Sequence, residues 1–184
     1  MQAPSRQMTA PALQALLKDG TLAGEWILDP SRSTVSLKSR SMWGLAPVNG
    51  VFHKVSGSGT VAADGQVSGT LTVAAASIDT NNTRRDTHLR STDFFDSSNH
   101  PHITVTAEAI RPSGQGVALT GGLTVRDRTR PLSFDAAASI KGDGEVRLDA
   151  EVPINRADFG LTWNLLGMAS THNILTVHAT FTRR

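Results

Sequence analysis

The chain has 184 residues, 39% apolar and 18% charged, and is rich in Thr, Ser, Val and Gly. That is β-rich composition for one domain with a real core, not that of a coiled coil or a disordered segment. Cysteine is absent, which excludes disulfides, a thiolate nucleophile and a Cys-based zinc site. A formal charge of +2, no Tyr and only 5% aromatics argue against a phosphate-tracking groove or a base-stacking surface, so nucleic acid is not an expected partner.

Met1 to Met8 is expected to be loose. Thr9 reads as an N-cap, Pro11 falls in a first turn, and Leu13, Leu16 and Leu17 make one helical stripe that Gly20 ends. A stripe of this kind docks on its own core or meets a partner; docking on the same chain is expected here. This segment carries no continuous apolar core after Arg6, and no apolar run in the chain is long enough to span a bilayer. The expectation is a cytoplasmic protein without a membrane span.

Strand signals begin at Trp26, and Asp29-Pro30-Ser31 is a turn. Val35 and Leu37 alternate with polar residues, and Met42, Trp43 and Leu45 form an apolar knot. After Phe52 and a Gly-Ser-rich run, Asp64-Gly65 marks a hairpin. Val67, Gly69, Leu71, Val73 and Ala75 then share a face.

The stretch from Ala76 to Asp96 breaks this rhythm. It gathers Asp79, Arg84, Arg85, Asp86, His88, Arg90, Asp93 and Asp96 and ends in Phe94-Phe95. It reads as a helical crossover lying over one end of a barrel and pushing two rings inward.

Alternation resumes with Ile103, Val105, Ala107 and Ala109. Turns at Pro112–Gly116, Arg126–Arg130 and Gly142–Gly144 separate the next runs, of which Val146 to Ile154 is the cleanest. An apolar-rich loop from Asn155 to Asn173 precedes a last strand through Phe181. Roughly eight alternating strands with short turns predict an all-β sandwich or up-and-down barrel. Many of the inward positions are small: Gly69, Ala75, Ala107, Ala109, Ala136, Ala138 and Ala150. Such a barrel is either filled by its helix and aromatic loops or holds an apolar guest.

The candidate chemistry is sparse. Arg85, Asp86 and His88 are either a catalytic or binding trio or a charge network anchoring the crossover; the structural network is favoured, because no nucleophile is specified. His100 and His102 would share a strand face, but two histidines without a third ligand do not make a metal site, so no metal or cofactor is assigned. No catalytic residue is assigned either, since nothing matches a nucleophile elbow. Arg126, Arg128 and Arg130 read as a solvated rim or as partners for an anionic head group. Phe52, Phe94, Val105, Phe134 and Trp163 are the candidate lining of the lumen, with Phe95, Phe159 and Trp43 as wall or plain core.

The crossover followed by His100-Pro101-His102-Ile103 resembles the YceI-like family of lipocalin-type barrels. Trp26-Ile27-Leu28-Asp29, Gly122-Leu123-Thr124-Val125-Arg126 and Asn155-Arg156-Ala157-Asp158-Phe159-Gly160 with Trp163-Asn164 support the likeness. The resemblance covers about Gly24 to Phe181, leaving residues 1–23 as an N-terminal extension and 24–184 as the barrel. It implies an eight-stranded antiparallel lipocalin-like barrel with a short N-terminal helix and a helical crossover. The implied function is binding of a polyisoprenoid or other long-chain lipid in a hydrophobic lumen, for storage, transport or stress-related sequestration, without enzymatic chemistry. Many relatives are periplasmic. Here Arg32 stands where many have His, and the last strand lacks a commonly acidic opening residue. An enzyme or metal protein using Arg85, Asp86 and His88 is the alternative reading, and a homodimer through a barrel edge or the N-terminal helix is compatible with the pattern.

Overall fold

The computed structural model describes residues 6–41, 44–142 and 144–184, with Leu165 described by its backbone alone. The expectations for Met1 to Ser5, for Met42 and Trp43, and for Asp143 lie outside the described residues. The elements run β1 (Arg6–Gln7), α1 (Ala10–Lys18), β2 (Gly24–Leu28), β3 (Thr34–Ser41), β4 (Ala46–Phe52), β5 (Val55–Val61), β6 (Val67–Ala74), β7 (Ile78–Asp79), α2 (Thr83–Arg90), β8 (His102–Ser113), β9 (Gly116–Val125), β10 (Arg128–Lys141), β11 (Glu145–Asn155) and β12 (His172–Arg183).

Every pairing is antiparallel, and the neighbours β2, β5, β6, β8, β9, β10, β11 and β12 return to β2, closing an eight-stranded barrel. Closure removes the free edges that an open sheet of this length would present. Two of the strands are extended beyond the ring. A 3-10 turn at Pro30–Arg32 bends β2 into β3, and β12 pairs with both. Pro30 has no amide to give a ladder, and the Asp29 carboxylate accepts from the Ser31 amide at 2.9 Å. On the other side β4 continues β5, carries β3 on one edge and the short β7 on the other. The end reached by β3 and β4 is called the upper end below.

The alternating runs form strands because one face of each meets a shared apolar interior. That interior divides into two clusters. The upper one contains Leu28, Val35, Phe52, Val73, Ile78, Phe95, Leu123 and Phe159; the lower one contains Met8, Leu13, Leu17, Leu22, Trp26, Val117, Ala136, Ala138 and Ile140.

Helix α1 docks on the lower end, as the leucine stripe predicts. Leu13 and Leu17 are buried there, and burial contributes roughly 2 kcal/mol for each. The Ala10 amide donates to the Gly114 carbonyl at 2.9 Å, and Gly20, at φ 78°, ends the helix. At the Asp64-Gly65 turn a side chain on Gly65 would stand 3.1 Å from the Leu17 carbonyl, and its φ of +84° also suits glycine. The turn therefore seats directly against the end of the helix.

Thr9 is the N-cap residue, as the sequence predicts, although its side chain makes no capping bond. Two other sequence expectations change. Residues 6–8 are tied down rather than loose: β1 pairs with β10, Met8 donates its amide to Ala138 at 2.9 Å, and its side chain is buried. Ala109 leaves the inward face. A β-bulge between Ala107 and Ala109 inserts one residue, so Ile110 rather than Ala109 lines the interior below Ala107. Gly121 faces this bulged strand, where a Cβ would collide with the Thr106 carbonyl at 1.9 Å.

Candidate functional site

The tube is hollow along two stretches. A wide upper cavity has a volume of about 770 Å³, and a narrow lower one about 170 Å³. They share Leu71, Val105 and Val177 as wall residues, which form a waist between them.

The wide cavity is walled by inward positions of the strands, including Val35, Leu37, Val73, Ile103, Leu123 and Leu175. Its upper wall comes from irregular chain. Between β6 and β8 the crossover contributes Thr80, Arg84, Arg85, His88, Leu89, Phe94 and Phe95; between β11 and β12 the loop contributes Arg156, Phe159, Leu161, Trp163 and Met168. The predicted Phe52, Phe94, Val105 and Trp163 stand on this wall, and Phe134 stands on the narrow cavity. The two rings at the end of the crossover do turn inward: Phe94 and Phe95 are both buried, and Phe95 lies 6.0 Å from Phe52, ring to ring.

An aromatic cluster closes one side of the opening. The His88 ring meets Trp163 edge-on at 4.2 Å and Phe94 at 5.3 Å, while His88 Nε2 lies 2.9 Å from an Asp93 oxygen. Trp163 is partly exposed, so the cluster lies between lumen and solvent.

Arg156 organises the loop beside it. Its guanidinium donates to the carbonyls of Ser170 at 2.9 Å, Trp163 at 3.0 Å, Ala169 at 3.3 Å and Leu161, and it stacks 5.4 Å from the Phe94 ring centre. It is buried with only carbonyl partners among the described residues, and burial pulls its pKa below the usual arginine value. Sequence reading quoted Arg156 only as part of a family motif. A loop arginine has no periodic signal, and only the flanking Asn155 and Gly160, an N-cap and a left-handed stop, hint at a folded turn.

Arg85 and Asp86 do not pair with each other. Both bond Thr80: Arg85 donates to its hydroxyl at 2.8 Å and its carbonyl at 3.0 Å, and Asp86 accepts from its hydroxyl at 2.6 Å and its amide at 3.0 Å. Thr80 directly follows β7, so these bonds tie α2 to the strand that extends the wall. His88 bonds Asp93 instead. The three therefore form no single constellation, which the alternative enzymatic reading requires.

The predicted arginine rim is also partly committed. Arg126 reaches the carbonyls of Thr92 and Phe94 at 3.4 Å each, Arg130 donates to the Asp158 carbonyl at 2.9 Å, and Arg128 lies against Gly160. Those guanidinium groups of Arg126 and Arg130 hold the mouth loops together instead of standing free as a rim. The charged groups that do line the wide cavity are Arg40, Arg84, Arg85 and Arg156; no carboxylate lines it among the described residues. His100 lies 3.9 Å from Asp96, and no group of three metal-ligating side chains forms among the described residues.

The family model described as the YceI-like domain matches residues 26–181. A UPF0312 protein of Pectobacterium atrosepticum is 37% identical over 100 residues, and a Protein YceI of Escherichia coli is 33% identical over 100 residues; each match covers 52% of this chain and 52% of the relative. The chain spans about half the length of the curated relatives it matches. Among solved structures, BcnA of Burkholderia cenocepacia superposes with a TM-score of 0.74 at 24% identity, covering 83% of this chain and 98% of that one. A polyisoprenoid binding domain from Saccharophagus degradans superposes at 0.69 and 15% identity, covering 86% and 98%. At these identities the two structures speak for the fold.

Proposed function

The chain belongs to the YceI-like domain family, and from that premise we propose that it binds a long-chain amphiphile, a polyisoprenoid or a fatty chain, inside its barrel. The observation that carries this reading is the cavity of about 770 Å³, apolar along the strands and polar only toward one end. Each methylene buried there contributes roughly 0.8 kcal/mol, so a few isoprene units outweigh the cost of immobilising the chain. The walls offer contact without directional bonds, which gives affinity and little selectivity among tails.

Selectivity for the head lies at the mouth. Arg84 is exposed there, Arg40 and Arg85 stand near it, and no carboxylate among the described lining residues opposes them. A phosphate or carboxylate head group suits such a rim. Phe52, Phe94, Val105 and Trp163 are the proposed contacts for the tail in the wide cavity, with Phe134 further along. The family, and the lack of a converged nucleophile and base among the described residues, favour binding over catalysis. The biological service, whether storage, transport or sequestration, follows from capture and release by the same walls.

Native mass spectrometry of gently purified protein tests the reading. A co-purifying long-chain lipid, or uptake of a prenyl or fatty probe, is the expected result. A protein that carries none and takes up neither probe sinks it, and a bound metal in place of lipid would favour the alternative.

A further inference from the structure

The floor of the lumen comes from a different part of the chain than its walls. The narrow cavity is ringed by small barrel positions, Ala107, Ala136, Ala138 and Ala150, and is stopped from below by Leu13, Leu17 and Leu22. Those leucines precede residue 26, where the family match begins. The floor therefore lies outside the stretch that the family model matches.

We propose that helix α1 sets the length of the bound chain, with the narrow cavity holding the hydrocarbon end of the tail and Leu13 and Leu17 forming the stop. This rests on the lipid-binding reading above. The narrow cavity adjoins the wide one at Leu71, Val105 and Val177, so a tail running from the arginine rim past this waist meets it next. No charged side chain lines it among the described residues. A tail ending in a polar group would lose its hydrogen bonds to water there, so the compartment selects a plain methyl or branched alkenyl terminus. The stop is rigid. The Met8 and Ala10 amides are bonded to Ala138 and Gly114, and the Gly65 turn presses on the last turn of the helix at Leu17. A fixed wall against small side chains converts an otherwise permissive tube into a ruler, because a chain one carbon too long must leave apolar surface in water.

The full-length protein is offered an equimolar series of straight-chain fatty acids from dodecanoic to tetracosanoic acid, and the bound distribution is read by native mass spectrometry. Leu13→Ala with Leu17→Ala, which removes bulk from the floor, moves the preferred length upward. Ala136→Leu, which fills the same compartment from the wall, moves it downward. Discrimination changes by about fourfold per methylene gained or lost. None of these positions lines the wide cavity, so the readout is the distribution of bound lengths within each variant and not the total uptake. An unchanged length distribution in both variants overturns the ruler while leaving lipid binding in place. No uptake of any chain by the parent protein overturns both.

Discussion

The two halves of the lumen share most of their strands and are finished in opposite ways. Below the waist, Ala107, Ala136, Ala138 and Ala150 give small side chains, and a helix supplies the missing bulk through Leu13 and Leu17. Above it the walls are extended by β3 and β4, and the remaining gap is covered by irregular chain whose carbonyls need partners. Arginine side chains supply those partners: Arg156 alone serves four carbonyls, and Arg90 donates to Ile78 at 2.7 Å. Regular structure satisfies its own backbone, so the lower end is closed mainly by packing, with Arg183 alone serving the Thr21 carbonyl among the described contacts there; loops do not, so the upper end relies on several cations. The mouth's positive charge is thus partly a consequence of how its loops are held.

The contrast is broken hardest at Arg156. Arg156→Ala leaves four loop carbonyls without their donor and is expected to cost roughly 4 kcal/mol, read as a lowered urea midpoint. A midpoint equal to that of the parent would mean that water serves the loop as well as the guanidinium does. Leu17→Ala tests the lower end and should cost about 3 kcal/mol, with the floor retained by Leu13 and Leu22. Its effect should appear as a lowered urea midpoint, because Leu17 lies in the lower cluster. Thr80→Val sharpens the comparison within the upper half, because it removes the hydroxyl shared by Arg85 and Asp86. A loss of about 1.5 kcal/mol is expected, and a neutral result would show that the backbone contacts of Thr80 suffice.

The smallest effect lies at Asp29, where the chain bends between β2 and β3. Bonds from the Ser31 hydroxyl, and then the Arg32 guanidinium, lower its pKa from 3.8 to about 2. The folded form thus holds the carboxylate more tightly ionised than the unfolded form. Its contribution is complete above the unfolded value of 3.8 and is lost as pH falls toward about 2. Asp29→Asn should flatten the thermal midpoint against pH across that window and leave it unaffected in shape at neutral pH.

Strands whose apolar residues alternate, such as Val146 to Ile154, were readable because a single buried face fixes the period. The helix was readable from three leucines. Ala109 misled because a bulge leaves no mark in composition: Ala107 and Ala109 keep the spacing of a regular strand while Glu108 takes up the extra turn. Phe94 and Phe95 signalled an inward-facing loop by their apolarity. The sharing of Thr80 by Arg85 and Asp86 could not be read, because hydrogen-bond choice among neighbouring polar groups depends on geometry and not on spacing. Nor could the division of the lumen, which depends on where a separate helix lands on the ring.

Strand β12 has a further consequence. It is in register with β11 over its whole length and with β2 and β3 on its other edge. Synthesis delivers it after every other strand of the ring. Until it arrives the nascent sheet is an open trough with its greasy side bare, joined only when residues far apart in sequence meet, a slow step of the kind during which chains aggregate.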